Sequence, residues 1–312
     1  MNKEKENHRN NTLRFRDICI LWMEDSRKNW KPSSYVRYQE CLNKYILPQW
    51  GERSLQELTQ RDYDELIDGL KSRLHSSSIN TINTMLKGII RYALTNRHLD
   101  NFPFYLSYSP SKKETDIDIL TAGEMEALTE YSRTHITPTT LGVLLALYEG
   151  IRPGELCAMQ WEDVDMDKGI LYVRKTIQRI QNPLPNSDGP KTVLHLGMPK
   201  NGKERAIPIH PKVSGRLRSS RGQYPKEYYI IRDRQPMEPR SLSRNFKQIL
   251  KQAGIRDVSF HALRHTFATC CVEAGMDIKA LSEILGHTSV KATMDLYVHL
   301  SIEDKQRQME NL

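Results

Sequence analysis

Four short stretches of this chain gather side chains able to handle an anionic group. They are Gly150-Ile-Arg-Pro-Gly-Glu-Leu156, Pro199-Lys-Asn-Gly-Lys-Glu-Arg-Ala-Ile-Pro208, His261-Ala-Leu-Arg-His265, and Leu285-Gly-His287 with Tyr297 ten residues further on. Guanidinium forks match pairs of phosphate oxygens, an ammonium supplies a point charge or a proton, and imidazole exchanges protons near neutrality. A tyrosine hydroxyl adds a nucleophile once something removes its proton. No carboxylate cluster suited to Mg²⁺ accompanies them, and no glycine-rich loop runs into Lys-Ser/Thr as ATP binding needs. Such a set suits a phosphodiester handled with neither metal nor cofactor.

Each stretch also has a plainer reading. His261 and His265 stand four apart and are formally a metal pair. The metalloprotease version has a glutamate after the first histidine, whereas Ala262 stands here, and Arg264 would put a fixed cation beside the metal. On a helix opened by Ser259, with Leu263, Phe267, Cys270 and Ala274 as its buried stripe, His261 and Arg264 are neighbours on one face. Asn201-Gly202 is the strongest short hairpin signal, so 194–200 and 203–209 are expected to pair across it. Lys200 and Lys203, on either side of that turn, compete for the role of active ammonium. Tyr297 could be core packing with Leu296 and Leu300, but no other tyrosine follows Arg264.

The elements that must hold these groups divide the chain in two. After a polar tail, 1–11, four amphipathic helices are expected within 12–103. They run from Leu13 to about Asp25, from Ser33 or Ser34 to Pro48, from the capping box at Thr59 and Asp62, and from the serines at 76–78. Their exposed faces are basic, with Arg37, Lys44, Lys87 and Arg91 as candidate DNA contacts. Residues 104–117 mix prolines, serines and lysines and read as a linker. Residues 118–312 read as an α+β domain: an apolar helix ending at Gly150, a helix restarting at Pro153, a small antiparallel sheet, a loop over 181–192, and helices after Pro239. The fold class is therefore mainly α with a small antiparallel sheet.

Composition agrees with a polyanion partner. The 312 residues carry 46 Lys and Arg against 38 Asp and Glu, a formal charge of +8. The five cysteines (Cys19, Cys41, Cys157, Cys270 and Cys271) are odd in number and scattered, which implies neither a disulfide framework nor a zinc knuckle. The start of the chain has no apolar run of the signal-peptide kind, and the longest apolar segment, 141–148, is too short to span a membrane. A cytoplasmic protein is expected.

The four stretches, in this order, resemble the tyrosine recombinase (phage integrase) family, and the helical residues 13–103 resemble that family's core-binding, SAM-like domain. The resemblance carries Arg152 onto the first arginine, Lys200 onto the hairpin lysine, and His261 and Arg264 onto the His-x-x-Arg pair. His287 falls on the second histidine, Tyr297 on the nucleophile, and Glu155 on an acidic position expected to brace the first arginine. It implies that Tyr297 attacks the scissile phosphorus to give a 3′-phosphotyrosyl enzyme and a free 5′-hydroxyl. In that scheme His261 takes the phenol proton, Arg152 and Arg264 clamp the nonbridging oxygens, Lys200 protonates the leaving oxygen, and His287 orients the phosphate. Neither ATP nor a cofactor is required. Implied partners are double-stranded recombination sites gripped by both domains and a homotetramer at synapsis, in which residues 301–312 dock on a neighbour; a directionality factor is a further candidate partner. No arm-binding domain like that of lambda-type integrases is found. That keeps a Xer-like resolvase or a DNA invertase beside a mobile-element integrase. A type IB topoisomerase and a catalytically silent DNA-binding regulator are the more distant alternatives.

Overall fold

The computed structural model describes residues 13–102, 104–108, 118–182, 189–199, 201–291 and 293–294. The chain divides into two compact units, 1–114 and 115–312. No helix among the described residues is long and apolar enough to cross a membrane.

The first unit is helical: α1 (Phe15–Ser26), α2 (Pro32–Cys41), α3 (Leu47–Trp50), α4 (Gln60–Lys71) and α5 (Ser76–Thr95). Its core is set by spacing. Phe15, Ile18, Cys19 and Trp22 form the inner face of α1, and Ile79, Ile82, Leu86, Ile89 and Ala93 that of α5. The capping box at α4 forms as the sequence implies: Asp62 N donates to Thr59 Oγ1 at 3.3 Å and Thr59 N to Asp62 Oδ2 at 2.8 Å. Pro48, expected to stop the second helix, does not. A wide turn over Leu42–Ile46, with i to i+5 pairing, carries the chain into α3, where Pro48 lies in the first turn and its missing N–H costs nothing. Residues 104–108, the start of the stretch read as a linker, lie on this bundle. Phe104 is buried, and Tyr108 N donates to the hydroxyl of buried Tyr63 at 3.0 Å.

The second unit comprises α6 (Ala122–Thr134), α7 (Pro138–Glu149), α8 (Pro153–Ala158), β1 (Val164–Asp165), β2 (Ile170–Val173), β3 (Thr176–Gln181), β4 (Thr192–Gly197), β5 (Arg205–Pro208), α9 (Pro211–Arg221), α10 (Pro239–Gln252), α11 (Phe260–Glu273) and α12 (Ile278–Leu285). Every residue of α7 from Thr140 to Glu149 is buried, and α11 packs against both α7 and α12. With neighbours on two sides, α11 buries Ala262, Leu263, Arg264, Thr266, Ala268, Cys271 and Val272. The stripe of Leu263, Phe267, Cys270 and Ala274 is thus incomplete, since Phe267 and Cys270 are only half-buried and Ala274, just past the helix end, is exposed. Ser259 stands at the helix start without making a side-chain cap.

The strands correct the hairpin expectation. β4 and β5 do not pair with each other. β4 pairs antiparallel with β3, Thr192 opposite Gln181 and Gly197 opposite Thr176, while β5 pairs antiparallel with β2, Val173 opposite Arg205 and Ile170 opposite Pro208. Two long arms, β2–β3 and β4–β5, therefore form one kinked ribbon. Beyond the last paired residues of β3 and β4, Asn182 N donates to Lys191 O at 2.9 Å. Asn201-Gly202 does make a turn, with Gly202 at φ 71° and its N–H on Pro199 O at 2.8 Å, but this turn is an excursion on one arm of the ribbon.

Candidate phosphate-binding site

Two helices end in the same way and aim their last carbonyls at one spot. α7 ends at Gly150 and α12 at Gly286, with φ of 62° and 61°, a conformation that favours glycine. Both positions also lack room. A Cβ on Gly150 would lie 2.5 Å from Phe267, and one on Gly286 would lie 3.1 Å from the Arg205 side chain. Helix C-termini leave carbonyls unpaired and carry partial negative charge, so they attract cations.

Three arginines occupy these carbonyls. Arg264, almost fully buried in α11, donates from Nη1 to Gly150 O and from Nη2 to Leu285 O, both at 2.6 Å. Arg152, the residue preceding α8, donates from Nη2 to Gly286 O at 3.1 Å and from Nη1 to Glu155 Oε1 at 3.0 Å. Arg205, at the start of β5, donates from Nε to Ile284 O at 2.7 Å. Consecutive carbonyls 284, 285 and 286 thus each hold a different arginine. The carboxylate of Glu155 anchors the group from beneath. Burial pushes its pKa up, but the hydrogen bonds and charge of Arg205 and then the charge of Arg152 outweigh burial and hold it below the usual carboxylate range.

The surrounding titratable groups register an excess of positive charge. Desolvation, then Arg152, holds Arg264 below the usual arginine range. Desolvation, then Arg264, Arg152 and Arg205, push His287 down to about 4. His261, at the surface of α11, is lowered by desolvation, His265, Arg264 and Arg152 in that order. His265 is lowered as well, by desolvation and then Arg264. Neutral histidines beside crowded guanidinium groups suit an incoming anion. The His287 ring is fixed by a 2.8 Å hydrogen bond between Nδ1 and Thr293 Oγ1.

Of the expected residues, Arg152, Glu155, Arg264 and His287 come together, with His261 on the adjoining face of α11. Lys200 and Tyr297 lie outside the described residues. Sequence reasoning missed Arg205 and Thr293. Arg205 had a signal: along β5 the inward positions are those of Arg205 and buried Ile207, and an inward arginine demands a partner. Thr293 had none.

The candidate DNA contacts of the first unit fall into two clefts. Arg37 and Lys44 line one with Asn43, Leu74 and Ser78, while Lys87 and Arg91 line the other with Trp30, Tyr38 and Thr84. All four cations are exposed. If Lys87 and Arg91 contact phosphates, log affinity for duplex DNA should fall linearly with log salt, and replacing both with glutamate should lower the slope by about 2. An unchanged slope, read by fluorescence anisotropy across a salt series, would make them ordinary surface.

Comparison with known proteins agrees with this geometry. The sequence model of the phage integrase family matches residues 118–304, and that of the phage integrase N-terminal SAM-like domain matches 14–71. A XerC-like tyrosine recombinase of Caldanaerobacter subterraneus subsp. tengcongensis is 28% identical over 95% of this chain and 82% of its own length. Among solved structures, the Tn1549 transposon integrase in complex with transposon right-end DNA superposes with a TM-score of 0.75 at 21% identity, covering 95% of this chain and 99% of that one. A lambda integrase tetramer bound to a Holliday junction gives 0.69 at 20% identity, covering 92% and 78%. The chain belongs to the phage integrase family and is a tyrosine-type site-specific recombinase.

Proposed function

We propose that this recombinase integrates or excises a mobile element, cutting each strand through a 3′-phosphotyrosyl bond to Tyr297. The observation that carries the reading is the arginine group built on the ends of α7 and α12, with neutral histidines beside it. Each Nη of Arg264 and Arg152 bears a second hydrogen, which leaves both guanidinium groups able to meet nonbridging oxygens as charge develops there. His261, held below the ordinary histidine range, is neutral at pH 7 and can take the phenol proton of Tyr297. His287 is neutral too. In the tautomer whose Nδ1 accepts from the Thr293 hydroxyl, the proton is on Nε2 and can be donated to the phosphate. Lys200 gives its proton to the departing 5′-oxygen, and religation runs the same steps backwards. The phosphotyrosyl bond replaces the phosphodiester, so no external energy enters.

Residues 12–103 are read as the core-binding domain, 104–117 as the linker, and 118–312 as the catalytic domain. The transposon and lambda structures favour the mobile-element reading and a homotetramer acting on paired duplex sites; the cytosol is read as its place of action. The XerC-like relative favours a second reading, resolution of DNA multimers. Joining of two separate DNA circles, against resolution of one circle carrying two sites, distinguishes them.

The covalent step is tested with the full chain and a nicked duplex bearing a site that the protein selects from a random-sequence pool. The expected result is an SDS-resistant adduct in which mass spectrometry finds a nucleotide remnant on the Tyr297 peptide, with a free 5′-hydroxyl on the released strand. Tyr297→Phe should bind the duplex and give no adduct. Attachment elsewhere would overturn the assignment, and binding with no adduct from the unaltered chain would favour a silent DNA-binding regulator.

A further inference from the structure

We infer that Arg205 is a positioning residue for strand cleavage: by neutralising and pinning Glu155, it leaves Arg152 free to face the scissile phosphate. The inference rests on the reading of Arg152 as a phosphate ligand.

The two arginines share one carboxylate unequally. Arg205 takes Glu155 as a fork, Nη1 to Oε1 at 3.0 Å and Nη2 to Oε2 at 2.7 Å, while Nε holds Ile284 O at 2.7 Å. All three of its nitrogens are engaged. Arg152 makes one side-chain bond to Glu155, and its backbone N–H makes another at 3.1 Å. Exposure follows the same division: the Arg205 side chain is 7% exposed and that of Arg152 22%. Arg205 lies behind, and Arg152 reaches forward.

Removal of the Arg205 charge leaves Glu155, itself only 1% exposed, with Arg152 as its one ion-pair partner among the described residues. A buried carboxylate with a single cationic partner draws that partner into a full fork, which turns the Arg152 hydrogens inward. Arg205 also begins β5, three residues after the turn at Asn201-Gly202, and its side chain lies against Gly286, directly before His287. One side chain thereby ties the start of β5, the start of α8 and the His287 corner together.

The test compares single-turnover cleavage, site binding and thermal melting of the full chain on the selected nicked duplex. Arg205→Met should bind within about threefold of the native chain yet cleave about 100-fold more slowly, the size of effect expected when one charge-stabilising donor is misplaced. Glu155→Gln should also lose cleavage, because it strands two cations. The double variant Arg205→Met with Glu155→Gln should recover to within about tenfold of native, because the charges again balance. Arg205→Lys, which keeps the charge but not the fork, should cleave at least about tenfold faster than Arg205→Met. A double variant no better than Arg205→Met would show that Arg205 acts on DNA itself. Equal losses in Arg205→Lys and Arg205→Met would show that charge is not its contribution. Loss of cooperative melting in both Arg205→Lys and the double variant would make the residue purely structural. Each of these results overturns the inference. If Arg152→Ala cleaves normally, the inference falls with the reading beneath it, a failure visible without any Arg205 variant.

Discussion

Lys200→Ala should cleave an ordinary phosphodiester roughly a thousandfold more slowly than the native chain, within the range a positioned general acid supplies. The 5′-oxygen leaves as an alkoxide unless it is protonated, and the family resemblance gives that proton to Lys200. Sulfur at the same bridging position makes a leaving group that needs no acid, so Lys200→Ala should regain near-native cleavage on that substrate. Arg264→Ala should regain little, because its loss removes charge at the nonbridging oxygens and frees the carbonyls of Gly150 and Leu285 as well. Lys203→Ala should match the native chain on both substrates. Rescue of Lys203→Ala with none for Lys200→Ala would put the acid on the other side of the Asn201-Gly202 turn. Rescue of neither would move the role to His261.

Glu149→Gln should stabilise the second unit at pH 8 by a few kcal/mol, on the order of 1.4 kcal/mol per unit of pKa displacement. Glu149 is 1% exposed, and burial pushes its carboxyl up to about 8. Its last-turn position in α7 also disfavours negative charge. Unfolded glutamate titrates near ~4.3. Between that value and about 8 the folded chain holds a proton that the unfolded chain has lost, so stability falls as pH rises through this window and levels off above it. Glutamine cannot ionise but keeps an oxygen for the N–H of His210, which Glu149 Oε1 now accepts at 2.8 Å. The lowered histidines (His210, His261, His265 and His287) have the opposite slope, losing stability as pH drops below the ordinary histidine range. The gap between variant and native chain should therefore open above about pH 4.3, widen steadily with pH, and level off above about 8. Denaturant melts at pH 6, 7 and 8 that run parallel for both chains would sink this account.

The legible features of the sequence were those written in local chemistry. Gly150 and Pro153 mark a helix end and a helix start because one admits a positive φ and the other needs no N–H. Glu155 three residues after Arg152, and Arg264 three after His261, encode neighbours within one turn. The missed features depend on partners far along the chain. Asn201-Gly202 specifies a turn, but which strands pair around it was decided by β2 and β3, already formed into one arm of the ribbon. α9 escaped notice because it buries only Val213 and Leu217. The stripe of α11 was misjudged because a helix between two others has no single inner face, and Arg264 lies on what would have been a polar side. Arg205 was passed over because its three acceptors come from Glu155 and Ile284, fifty and seventy-nine positions away.

The three arginines meet on carbonyls 284, 285 and 286, near the far end of the chain. A ribosome makes Arg152 first and the last turn of α12 long afterwards. Until that turn has emerged and closed, Arg264 has only Gly150 O to hold it, and Arg152 and Arg205 have only Glu155. The order of synthesis thus sets the order of assembly: the arginine group is complete only once carbonyls 284, 285 and 286 have been made.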